Sequence, residues 1–80
     1  MKKRKTEKEA IDPRICDHEV IYVEVLSQPD KTGRQEYLLY WWGYHPSTDE
    51  YGWRGQIFYG NLNERIGEME NYGEKICKLN

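Results

Sequence analysis

From Val20 to Leu26 the chain reads Val-Ile-Tyr-Val-Glu-Val-Leu, a β-branched run of strand length. A period of two places Ile21, Val23 and Val25 on one face, with Tyr22 and Glu24 on the other. The turn formers Ser27-Gln-Pro-Asp-Lys-Thr-Gly33 come next. Glu36-Tyr-Leu-Leu-Tyr-Trp-Trp42 reads as a second strand, so a hairpin is predicted. Gly43 is expected to stop that strand, with His45-Pro-Ser-Thr-Asp-Glu50 as a polar connector. Tyr51 to Tyr59 reads as a third strand, weakened by Gly52 and Gly55 and ended by Gly60-Asn61. The period then changes. Leu62, Ile66, Met69, Tyr72, Ile76 and Leu79 recur at steps of three and four, which is one face of a helix. Asn61 fits its N-cap, with Glu64 three residues on as in a capping box. Gly67 and Gly73 each cost roughly 1 kcal/mol against Ala in a helix interior. The helix is therefore expected to be firm to about Tyr72 and frayed or broken at Asn71-Tyr-Gly73. The pattern predicts strands near 20–27, 35–42 and 52–59 and a helix from about 62. A three-stranded antiparallel sheet needs a cover, and a C-terminal helix across one end of a curled sheet is the economical α+β solution.

Ahead of Val20 the chain has little apolar content. Residues 1–17 read as a basic flexible leader and residues 18–80 as one module. Eighty residues leave no room for a second core. Charge sharpens the division. Residues 1–14 hold six of the twelve basic and three of the fourteen acidic residues, so they are +3 and residues 15–80 are −5. Such a leader suits contact with nucleic acid or a nuclear address, while the acidic body repels phosphate and attracts a cationic partner. No apolar run approaches the ~18 residues of a membrane span. The start lacks the apolar stretch of a signal peptide. Cys16 and Cys77 lie near opposite ends without a C-x-x-C spacing, a poor zinc motif, and read as reduced thiols of an intracellular protein.

Candidate chemistry is sparse until the aromatics are considered. His18 and His45 have no neighbouring nucleophile. Asp49-Glu50 sits in a turn, and Gly52-Trp-Arg-Gly55 is no phosphate loop. No enzyme, no cofactor and no metal site are expected. However, Tyr37, Tyr40, Trp41, Trp42, Tyr44, Tyr51, Trp53, Phe58 and Tyr59 fall within 23 residues. Each such ring brings ~150–250 Å² of surface, more than a core this small encloses. Alternation makes both faces of the second strand aromatic. Core or rim packing accounts for some of these rings, Trp53 before Trp41. A surface aromatic cluster beside carboxylates suits a weakly hydrated cation, methyl-lysine above all. Stacking on single-stranded nucleic acid is the competing use, which the −5 body opposes.

Glu36-Tyr-Leu-Leu-Tyr-Trp-Trp-Gly-Tyr44 resembles the chromodomain segment E-Y-L-L/V-K-W-K-G-Y/F. Val23-Glu-Val-Leu26 resembles the family's V-E-K-I/V-L strand. Trp53 resembles the tryptophan of T-W-E-P, and Asn61-Leu62 with Ile66, Met69 and Tyr72 resembles the start of its C-terminal helix. The resemblance covers roughly residues 19–73 and implies the same fold, a three-stranded curled antiparallel sheet packed against a C-terminal helix. It also implies a nuclear, heterochromatin-type reader of a methylated histone tail, histone H3 first, with the peptide added as a strand between the N-terminal strand and the segment before the helix. Its three-ring cage would comprise Trp41, Tyr44 and an aromatic from the first strand. Counting back from Gly43 without a gap places Val20 or Ile21 at that first position, with Tyr22 one or two residues away as the aromatic candidate. Asp49 or Glu50 would be the acidic residue beside the cage, and Asn61 would grip the peptide backbone.

This chain also departs from the family. Tyr40 and Trp42 replace lysines, the Tyr44-to-Trp53 connector is about two residues long for the family, and Trp53-Arg-Gly55 replaces W-E-P. The longer connector is similar to that of chromo-barrel domains, which implies an alternative nucleic-acid role through Lys2, Lys3, Arg4 and Lys5. The chromo shadow variant implies another, self-association through Tyr40 and Trp42. A monomer is expected rather than a dimer.

Overall fold

The computed structural model describes residues 16–79; the expected basic leader therefore lies almost wholly outside the described residues. Four strands and one helix follow in the order β1 (Val20–Val25), β2 (Gln35–His45), β3 (Glu50–Gly60), α1 (Leu62–Asn71) and β4 (Lys75–Lys78). They form a small α+β domain with one curled mixed sheet in the spatial order β3-β2-β1-β4. The β1–β2 and β2–β3 pairs are antiparallel, as the hairpin signals predict.

Two expectations are corrected. The sheet has four strands, not three, because β4 returns after the helix and pairs parallel to β1, with Val20 against Lys75 and Val23 against Lys78. Ile76 therefore belongs to a strand, and Leu79 lies beyond it, where its N–H donates to the Val23 carbonyl at 2.8 Å. The cause is the helix stop. Gly73 takes φ +87°, and the N–H groups of Gly73 and Glu74 return to the carbonyls of Glu70 and Met69 at 2.9 and 3.0 Å. That is a Schellman closure, which satisfies the last carbonyls and turns the chain sharply out of the helix. Secondly, Gly43 does not stop β2. It pairs with Gly52 inside the ladder, and the strand runs on to His45. The turn comes at residues 46–49, where the N–H groups of Thr48 and Asp49 both donate to the His45 carbonyl and Asp49 adopts φ 56°. Aspartate tolerates that left-handed conformation better than most residues.

At the other end of β3, the Asn61 side chain accepts from the Glu64 N–H at 3.0 Å and starts α1 as expected. Leu62, on the first turn, enters a core formed by Val23, Tyr37 and Leu39, with Ile21, Val25, Trp41, Phe58, Ile66, Met69 and Ile76 packed around it. The β1–β2 loop is closed by Asp30. Its carboxylate accepts from the Thr32 and Arg34 N–H groups, the Thr32 hydroxyl and the Tyr59 hydroxyl. The loop is thereby fastened across to β3.

Candidate functional site

Strand register decides which rings can cooperate. Tyr37, Leu39, Trp41 and Gly43 pair with Phe58, Gln56, Arg54 and Gly52, so these residues share the face that α1 covers. Leu38, Tyr40, Trp42 and Tyr44 pair with Ile57, Gly55, Trp53 and Tyr51 on the opposite face. On β1, Tyr22 lies opposite Tyr40 and so belongs to that second face, whereas Ile21 and Val23 belong to the first. The expected cage of Tyr22, Trp41 and Tyr44 is therefore not assembled. Trp41 points to one side of the sheet, and Tyr22 and Tyr44 to the other. The expectation required the chain to turn at Gly43; regular pairing through Gly43 keeps the alternation intact.

Trp41 has its own surroundings on the helix side. A Cβ at Gly43 would stand 2.8 Å from Trp41 Nε1, so the indole lies down over a bare backbone position. Arg54, its cross-strand partner, holds its guanidinium carbon 5.6 Å from the indole centroid and donates from Nη1 to the Tyr44 carbonyl at 3.0 Å. One face of the ring is thus already engaged with a cation, an arrangement favoured by the ring quadrupole. Beside Trp41 and Trp42 opens a cleft of about 470 Å³, lined on one side by His18, Glu19, Val20 and Ile21 and on the other by Gly73, Glu74 and Lys75. A second cleft of about 340 Å³ lies under α1 and shares Ile21, Trp41 and Glu74 with the first. Glu74 stands on both, and Glu19 adds a second carboxylate to the larger one.

The other predicted residues serve different ends. The Tyr44 hydroxyl donates to the Asp49 carboxylate, and its ring meets Tyr51 edge-on at 5.6 Å. The hydrogen bond to Asp49, and secondarily burial, push the Tyr44 hydroxyl above its ordinary pKa. Glu50 pairs with His45 at the exposed end of the hairpin. Asn61, just past the end of β3 and seven residues on from Arg54, uses its side-chain oxygen to cap α1. The expected outer patch is likewise absorbed. Tyr40 is fully buried, and Trp42 lies under His18, stacked at 3.9 Å and 5°. Trp53 meets Trp42 and His18 edge-on at 5.7 and 5.5 Å, and Tyr22 at 6.0 Å. The Tyr22 hydroxyl accepts from the Asp17 N–H at 3.0 Å, which ties down the segment carrying His18.

The expected place for an added strand also changes. At Tyr22 and Val23, β1 is paired on both sides, with β2 and with β4, and at Val20 and Ile21 it is paired with β4 alone. The segment beside it follows the helix and does not precede it. Sequence reasoning missed Glu19, Arg54, Glu74 and Lys75. Only the break at Gly73 before Lys-Ile-Cys-Lys hinted at a second use for this stretch. Among the described residues no group of three or more His, Cys, Asp or Glu is placed to hold a metal ion, and no helix is long and apolar enough to cross a membrane. The chain matches no protein-family model, no curated protein and no solved structure.

Proposed function

We propose that this chain is a chromodomain-like binding module of chromatin, acting in the nucleus and without catalysis, that takes a methylated lysine of an extended histone-tail segment at Trp41. One observation carries the reading: Trp41 walls a cleft that also holds Glu19 and Glu74, and its ring already accommodates a guanidinium. Methylation strips hydrogen-bond donors from an ammonium group and leaves its charge. A ring face then competes with water for it, and carboxylates add attraction at longer range. The acidic body favours the same class of partner.

A single ring contributes ~0.5–2 kcal/mol. Millimolar to micromolar binding corresponds to about −4 to −8 kcal/mol, so backbone contacts to the peptide must supply the larger share. The test is fluorescence anisotropy with trimethyl-lysine and unmodified histone H3-tail peptides. The methylated peptide is expected to bind more tightly, and Trp41→Ala to weaken it by about 1 kcal/mol or more, while Tyr44→Ala leaves it within about twofold. Indifference to methylation, or to Trp41, overturns the reading.

A further inference from the structure

The edge of β1 nearest the Trp41 cleft is filled by the chain itself. β4 lies along it in parallel, pairing Ile21 with Ile76 and Tyr22 with Cys77. Three features of β4 set it apart from the other strands. It is only four residues long, and all but Ile76 are exposed. It is basic, Lys75-Ile-Cys-Lys78, on a body whose net charge is −5. Its hold on the core is the side chain of Ile76, which pairs with Ile21 and packs against the core cluster on the helix side. Lys75, its first residue, lines the cleft that Trp41, Glu19 and Glu74 share.

We infer that β4 is a tethered stand-in for the ligand strand. The β1 edge takes a lysine-bearing extended segment of a partner by strand exchange, parallel to β1. The side chain directly after the lysine takes the place of Ile76, and the lysine lies at the Trp41 cleft. This rests on the proposed reading of Trp41 and adds its ligand pattern and its regulation. The tether, residues 72–74, keeps β4 at high local concentration, so it competes with any incoming peptide. Apparent affinity is then the intrinsic affinity reduced by the fraction of molecules with the edge open. Strand addition supplies main-chain hydrogen bonds, and the alternating pockets supply selectivity.

The exchange is tested by locking it. Tyr22→Cys in a Cys16→Ser background places a thiol in register with native Cys77, which is exposed. Paired positions in a sheet fall within the Cα separation a disulfide needs. Binding of the trimethyl-lysine histone H3-tail peptide is measured on this one chain, oxidised and reduced, beside wild type and Ile76→Asp. Oxidation is expected to abolish binding and reduction to restore it. Ile76→Asp, which evicts the anchor, is expected to tighten binding about tenfold. Trp41-dependent binding that is equal in the oxidised and reduced chain overturns the inference and leaves the reading standing, with the peptide then adding elsewhere, such as the outer edge of β3. Absence of methyl-dependent binding in both wild type and Ile76→Asp overturns both.

Discussion

On the face of the sheet that α1 covers, Trp41 and Phe58 each meet a guanidinium group, Phe58 also stacking on Tyr37 at 5.8 Å; on the opposite face the rings stand beside one another. Arg54 lies over Trp41 at 5.6 Å and Arg65 over Phe58 at 4.8 Å. Across the sheet, His18, Trp42, Trp53 and Tyr22 contact ring to ring, above the buried Tyr40. The chemistry follows from the ring quadrupole. Edge-to-face packing brings the positive edge of one ring to the negative face of the next, so the rings satisfy each other. A ring whose face meets a cation keeps that face for electrostatic work. Aromatic density alone therefore says little about binding. What distinguishes Trp41 from Trp42, its neighbour in sequence, is the class of group on its face. The outer cluster closes a second small core, and its His18 and Trp42 also border the candidate cleft beside Trp41.

The contrast is broken most severely from the outer face. Tyr40→Ala removes a fully buried ring and is expected to cost about 3–5 kcal/mol in urea unfolding, as other large-to-small aromatic substitutions do. Trp41 is only half-buried, so Trp41→Ala is expected to cost distinctly less stability while removing the proposed binding surface. If Trp41→Ala proves the more destabilising of the two, the division between a structural and a functional face is wrong.

Gly43→Ala acts on the other side of the contrast. The added methyl would stand 2.8 Å from Trp41 Nε1 and 3.4 Å from Arg54 Cδ. Either the indole or the strand must move, with an expected cost of about 1–3 kcal/mol. Peptide affinity should fall with it, because the methyl displaces the ring that lines the cleft. Wild-type stability together with wild-type binding would show that the indole is not held against Gly43.

The smallest effects concern the ties that fasten exposed rings. Asp30 is held well below the ordinary carboxylate range by its hydrogen bonds, the Thr32 hydroxyl first, then the Tyr59 hydroxyl and the Arg34 N–H. Its depressed pKa contributes stability that is present above about pH 4, the unfolded value, and is lost as the pH falls below it towards the folded one. Tyr59 and Tyr44 are shifted upwards, chiefly by their hydrogen bonds to Asp30 and Asp49. Their contribution is present below about pH 10 and lost as the pH rises through their folded values. Stability should therefore plateau between those limits, and Asp30→Asn should flatten the acid limb with little change in peptide binding. An unchanged acid limb would show that the loop tie contributes nothing.

Much of the fold is legible in the sequence because its signals are local. The β-branched run at Val20–Val25, the turn formers before Gly33 and the Asn61 cap with Glu64 each specify their element through neighbouring residues. β4 is not legible in this way. Ile76 and Leu79 fit the helical period by spacing alone, and a parallel four-residue strand exists only where β1 offers an edge. The site was legible in half. Trp41 stands out by its place before Gly43, but the cage required knowing whether the chain turns there. One residue of strand continuation sends Tyr44 to the other face. Glu74 and Arg54 reach Trp41 from distant or cross-strand positions, and no spacing in the chain announces that.

The claim that Trp41 reads charge is tested most directly by comparing two histone H3-tail peptides that differ in one side chain, trimethyl-lysine against its neutral isostere tert-butyl norleucine. Titration of wild-type chain should give weaker binding of the neutral peptide by about two- to thirtyfold, the range of ~0.5–2 kcal/mol for a cation–π contact, and Trp41→Ala should erase the difference. Equal affinity for the two peptides on wild-type chain would contradict the account, since shape alone would then explain the fit.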